Sequence, residues 1–127
     1  MNTELIAQTG IFLVGHNAYW GQGNGSCTGT GQYVNSSQDG PIVIKNNIIT
    51  STSGESGSGV HIEGSKYCID GNTISDFKQG ISIPATSFNG GATPTAHTIS
   101  NNVISGSSQT GIKVVSNADG NTITSNT

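Results

Sequence analysis

Chemistry in this chain gathers at one repeated position. Five copies of a string close to Gly-apolar-x-apolar run along it: Gly10-Ile-Phe-Leu13, Gly31-Gln-Tyr-Val34, Gly59-Val-His-Ile62, Gly80-Ile-Ser-Ile83 and Gly111-Ile-Lys-Val114. Apolar residues on either side of one variable residue are the period-two signature of a short strand with one buried face. The x residues Phe12, Tyr33, His61, Ser82 and Lys113 then share the opposite, outward face. The next outward position holds Asn35, Glu63, Pro84 and Val115. Aromatic rings beside an imidazole, a carboxylate and an amide suit a sugar, whose apolar faces stack and whose hydroxyls hydrogen-bond. The Gly-rich stretch from Tyr19 to Gly31 borders this strip and carries the only tryptophan, Trp20. The candidate ligand contacts are therefore Phe12, Tyr33, His61, Glu63, Lys113, Trp20 and Asn35. With each copy one strand further along, Phe12 and His61 are expected two strands apart, about 10 Å or roughly a disaccharide.

Acid–base catalysis on a glycoside needs two carboxyl groups facing one cleft, about 5 to 9.5 Å apart. The acidic residues are Glu4, Asp39, Glu55, Glu63, Asp70, Asp76 and Asp119. Asp70 and Asp119 sit in a corner motif described below, which gives them a turn role. Glu63 remains, with Glu55 and Asp76 on flanking loops. Glu63 as acid or base and His61 as its partner form the candidate catalytic pair, with Lys113 as an assisting cation. No metal site is expected: His16, His61 and His97 are far apart in sequence and lack Cys or His at ligand spacing. No cofactor motif is present either, since the Gly-rich stretch lacks the Lys-Ser/Thr ending of a phosphate-binding loop. Cys27 and Cys68 admit two readings, a buried free thiol at Cys68 or a Cys27–Cys68 disulfide in an oxidising compartment.

These side chains are positioned by a second repeat that alternates with the first. Ile44-Lys-Asn-Asn47-Ile-Ile49-Thr50, Ile69-Asp-Gly-Asn72-Thr-Ile74-Ser75, Ile99-Ser-Asn-Asn102-Val-Ile104-Ser105 and Ala118-Asp-Gly-Asn121-Thr-Ile123-Thr124 superimpose without gaps. Val14-Gly-His-Asn17-Ala-Tyr19-Trp20 is a degenerate copy. Short strands separated by Gly, Asn, Ser and Thr can stack as coils, each strand pairing in parallel with its counterpart one turn away. Isoleucines then form a continuous column that no single repeat could bury. Asn17, Asn47, Asn72, Asn102 and Asn121 fall at one corner, where stacked amides form a hydrogen-bonded ladder. The preceding Asn46, Gly71, Asn101 and Gly120 suit a corner residue with positive φ.

Composition agrees with this reading and excludes others. The chain has 127 residues, 9% charged, with four Lys and no Arg and a net charge of −3, while Ser, Thr and Asn make up about a third. That lacks the basic patch by which nucleic-acid binders displace counterions. The longest unbroken apolar run, Ile11 to Val14, is far short of the ~20 residues of a membrane span. No basic leader precedes an apolar segment, so no signal peptide is visible.

The two strings and their alternation resemble the right-handed parallel β-helix proteins, the pectin-lyase-like superfamily that includes pectate lyases, polygalacturonases, alginate epimerases and phage tailspikes. The resemblance covers residues 10–127. It implies an all-β, right-handed parallel β-helix (β-solenoid) of about five turns with an Asn ladder, and places a ligand groove on the outward face of the Gly-apolar-x-apolar sheet. A lyase of this kind would use an Arg or Lys base and carboxylates for Ca²⁺, but Arg is absent and no paired-Asp motif of polygalacturonases occurs. Residues 1–9 are read as a lead-in or cap, and 10–127 as one β-helix domain that ends uncapped or as a fragment. The expected function is a polysaccharide-recognition module, tailspike- or adhesin-like, at a virion surface or outside the cell. Two other readings are a carbohydrate-active enzyme and a structural solenoid that forms a homo-oligomer through its last turn.

Overall fold

A computed structural model describes residues 4–7, 10–13, 26–28, 42–52, 57–62, 65–84, 96–115 and 120–127. Twelve strands are present: β1 (Glu4–Ala7), β2 (Ile11–Leu13), β3 (Val43–Lys45), β4 (Ile48–Ser51), β5 (Ser58–Ile62), β6 (Cys68–Asp70), β7 (Thr73–Ser75), β8 (Gln79–Ile83), β9 (Thr98–Ser100), β10 (Val103–Ser105), β11 (Thr110–Val114) and β12 (Thr122–Thr124). They form three four-stranded sheets: sheet I is β1-β4-β7-β10, sheet II is β2-β5-β8-β11 and sheet III is β3-β6-β9-β12. Every pairing is parallel. The chain visits the sheets in the fixed order III, I, II, so each coil contributes one strand to each. This is a parallel β-helix.

The core follows from the period-two pattern. Sheet III turns Ile44, Ile69 and Ile99 inward, sheet I turns Ile49 and Ile74 inward, and sheet II supplies Val60, Ile62, Ile81 and Ile83. Tyr67 and Phe77 fill the space inside the corners, and each of these eleven side chains is at most 2% exposed. Branched side chains stacked one above another suit the pleat. Together they bury an apolar column that a lone coil of such short strands could not.

The corner from sheet III to sheet I is two residues long in each coil: Asn46-Asn47, Gly71-Asn72 and Asn101-Asn102. The first residue of each pair has positive φ, at 55°, 66° and 56°. The second is a buried asparagine. Asn47 donates through its backbone N–H and its Nδ2 to Asn72 Oδ1, at 3.0 and 2.9 Å. Asn72 makes the same pair of bonds to Asn102 Oδ1, and Asn102 to Asn126 Oδ1.

Three expectations are corrected here. Asn121 is not a rung of this ladder; Asn126 is. β12 pairs with β9, setting Ile123 beside Ile99 rather than Ile104, so Ser125-Asn126 takes the III-to-I corner, with Ser125 at φ 54°. Gly120-Asn121 belongs instead to the corner between sheets II and III, where Gly120 has φ 71°. Both corners need a left-handed residue followed by a side-chain acceptor, so one local motif satisfies either. Second, each sheet has four strands among the described residues, where five turns were expected. β2 pairs directly with β5, with Ile11 beside Val60, so no Gly31–Val34 strand lies between them. That string and Asn17 lie outside the described residues. Third, the expected lead-in contains β1, which pairs with β4 and sets Leu5 beside Ile49, so it is part of the solenoid.

Candidate ligand-binding face

Sheet II brings the chemistry-bearing column together. Its register aligns Phe12 with His61, His61 with Ser82, and Ser82 with Lys113. Because Val60, Ile62, Ile81 and Ile83 point inward, His61, Ser82 and Lys113 point to the opposite face. Phe12 and His61 are neighbours, about 4.8 Å apart along the sheet rather than about 10 Å. The difference comes from the direct β2–β5 pairing. Lys113 is exposed, His61 is half-buried and Ser82 is buried at 6%. The column therefore grades from a shielded floor at Ser82 to an open cation at Lys113. Tyr33, Trp20, Asn35 and Glu63 lie outside the described residues, so of the candidate catalytic pair only His61 is placed.

A disulfide ties the segment between β2 and β3 to this region. Cys27 and Cys68 are bonded, with Cα atoms 5.2 Å apart, which settles the two readings of the cysteines. Cys68 opens β6, just past the corner at which the chain leaves sheet II, and is fully buried. Cys27, which lies between β2 and β3 in sequence, is thus held beside that corner. Loops held next to a rigid sheet are where binding groups are commonly placed.

The outer face of sheet III is charged and internally satisfied. Lys45 Nζ lies 3.0 Å from Asp70 Oδ2, while Ser100 Oγ and Asn101 Nδ2 donate to Asp70 Oδ1 at 2.9 and 2.7 Å. Burial by itself raises the Asp70 pKa. The hydrogen bonds from Asn101, Lys45 and Ser100, with the Lys45 charge, outweigh it and hold the carboxyl below its ordinary value. Asp70 thus braces three consecutive coils, as the expected turn role required.

Sequence reasoning missed a second vertical column. Tyr67 donates its backbone N–H to His97 Nδ1 at 3.1 Å, and His97 donates its own to Asn121 Oδ1 at 2.9 Å. The pairs Lys66-Tyr67, Ala96-His97 and Gly120-Asn121 share no residue type. Only the x-Ile-x strand that follows each pair marks the position. Among the described residues no three His, Cys, Asp or Glu side chains converge as metal ligands. No helix among them is long and apolar enough to cross a membrane.

Residues 2–127 match the model of the family described as periplasmic copper-binding protein (NosD). The chain belongs to the NosD family. NosD is a right-handed parallel β-helix family of the pectin-lyase-like superfamily, so the match and the three stacked sheets agree. No curated protein and no solved structure matches the chain.

Proposed function

We propose that this NosD-family module recognises an acidic polysaccharide along the outward face of sheet II. The observation that carries the reading is the register that stacks Phe12, His61, Ser82 and Lys113 in one column. A repeating sugar chain presents hydroxyls and carboxylates at regular intervals, and a solenoid face presents side chains at regular intervals. The exposed ammonium of Lys113 suits a uronate carboxylate, and the imidazole of His61 suits a hydroxyl. Tyr33, Trp20, Asn35 and Glu63 are carried as further contacts by the sequence alone. Glu63 and His61 would be the acid–base pair if the bound chain is also cleaved. An oxidising compartment is supported by the disulfide and by the family's periplasmic description.

The same description favours a second reading, a copper site. Copper selects imidazole, thiolate and thioether ligands. Both cysteines are consumed in the disulfide, and His97 is fully buried with Nδ1 accepting the Tyr67 N–H. His61 shares the described column of sheet II with Phe12, Ser82 and Lys113 and with no second His or Cys. These residues do not fit copper.

An array of acidic and neutral polysaccharides separates the two readings. The protein should bind selectively to acidic chains, and His61→Ala with Lys113→Ala should weaken binding about tenfold or more. Unchanged binding in that double variant removes the strip from the site. A stoichiometric Cu(II) complex with imidazole-nitrogen hyperfine structure in paramagnetic resonance would return the copper reading to first place.

A further inference from the structure

The corner between sheets II and III has an imidazole where the corner between sheets III and I uses only amides. Lys66, Ala96 and Gly120 stand there at φ 59°, 59° and 71°, followed by Tyr67, His97 and Asn121. In each coil the backbone N–H at the second position donates to a side-chain atom of the next coil, first His97 Nδ1 and then Asn121 Oδ1. Nδ1 of histidine and Oδ1 of asparagine are both attached to Cγ, so His97 offers an acceptor at the place where asparagine offers its amide oxygen. They differ in one respect. The amide oxygen accepts at every ordinary pH, whereas the imidazole nitrogen accepts only while it is unprotonated.

His97 has no solvent exposure and Tyr67 has 2%. Their rings lie 5.3 Å apart at 57°. Water is therefore kept from replacing the Tyr67 N–H to Nδ1 bond. Two backbone bonds flank it: Thr98 N–H to Tyr67 O and Thr122 N–H to His97 O, both 2.8 Å.

We propose that His97 is a proton-operated latch on this corner. Neutral, it carries its proton on Nε2 and accepts the Tyr67 N–H. Protonated at Nδ1, it turns a donor toward a donor and releases the corner between sheets II and III. The groups packed around it leave the imidazole as the switching element. Tyr67, on the preceding coil, presents its backbone N–H to the ring. Asn121, on the following coil, does not titrate. Cys68, which follows Tyr67, is held in the disulfide. Asp70 and Lys45, further along sheet III, are engaged with each other. This proposal goes beyond the polysaccharide reading and does not depend on it.

Amide hydrogen exchange on the intact, oxidised protein tests the latch, with rates corrected for intrinsic pH dependence. Between pH 7.5 and 5, the Tyr67 and Thr98 amides should lose about tenfold or more of their protection relative to Thr73 and Val103, whose corner has only amide rungs. His97→Asn keeps an acceptor on Cγ and should abolish that loss. Nitrogen NMR of the wild-type imidazole at pH 7.5 gives a check that needs no variant, and it should show an unprotonated Nδ1 and a protonated Nε2. A proton on Nδ1 at that pH, a constant protection ratio, or the same loss in His97→Asn would overturn the latch.

Discussion

The side-chain amide of Asn72 accepts from Asn47 N and Nδ2 and donates to Ile44 O, Asp70 O and Asn102 Oδ1. All of this takes place at 1% exposure. Truncation leaves several buried groups unsatisfied, each at about 1–3 kcal/mol. Asn72→Ala should therefore destabilise the fold by about 3 kcal/mol or more, read from the urea midpoint. Asn72→Asp should be worse at neutral pH, because a carboxylate would face the Ile44 and Asn102 oxygens to which the amide donates. Asn126, half-buried at the last rung, should lose only about 1 kcal/mol on truncation to Ala. Asp70 sets a different dependence. Its folded-state pKa is lowered from 3.8, so its contribution is fully present above that value and is lost as the pH falls through the lowered one. Asp70→Asn should flatten the acid limb of the stability profile below about pH 4. The pair's partner Lys45 is 40% exposed, so at neutral pH the variant should lose under about 1 kcal/mol.

At the scale of the strands, Gly59 and Gly80, which open two of the Gly-apolar-x-apolar strings, have a steric cause. A Cβ on Gly59 would lie 2.7 Å from Gly80 O and against Ile74 Cγ2, and one on Gly80 would lie 2.5 Å from Gly111 O. One on Gly111 would meet nothing closer than 3.9 Å. Gly59→Ala and Gly80→Ala should each cost about 1–3 kcal/mol by overpacking, while Gly111→Ala should change stability by less than about 0.5 kcal/mol. Thermal unfolding of the three variants checks that order. The opening glycine, the inward isoleucines and the rungs at Asn47, Asn72 and Asn102 were legible in the sequence because each repeats at one place in every coil. The rung at Asn126 was not, because Ile123-Thr-Ser-Asn126 departs from the Gly/Asn-Asn string that Gly120-Asn121 imitates. The Tyr67, His97 and Asn121 column was illegible for the opposite reason: its geometry repeats while its residues do not. In the candidate site, the outward positions of His61 and Lys113 followed from strand alternation, as did the alignment of Phe12 with their column. Their spacing did not, since a string such as Gly31–Val34 can match a pattern without pairing in the sheet.

Across the whole molecule, one covalent link and one directional ladder set the response to stress. The disulfide joins residues 41 positions apart, and reducing it should lower stability by about 2–4 kcal/mol, measured as urea unfolding with and without reductant. The sheets should otherwise persist, since their pairings do not involve sulfur. The ladder runs one way: the backbone N–H of each rung asparagine, Asn47, Asn72 and Asn102, is answered by a side-chain oxygen of the coil after it. Each interior coil therefore presents the same plug on one side and the same socket on the other. A whole coil, Ile69 to Thr98 for instance, could be duplicated or removed without changing the kind of contact at either junction. A single residue added to the two-residue corner would misalign the plug on both sides. Change in this scaffold is thus quantised: loops vary freely, coils come and go as units, and the corner itself admits no intermediate.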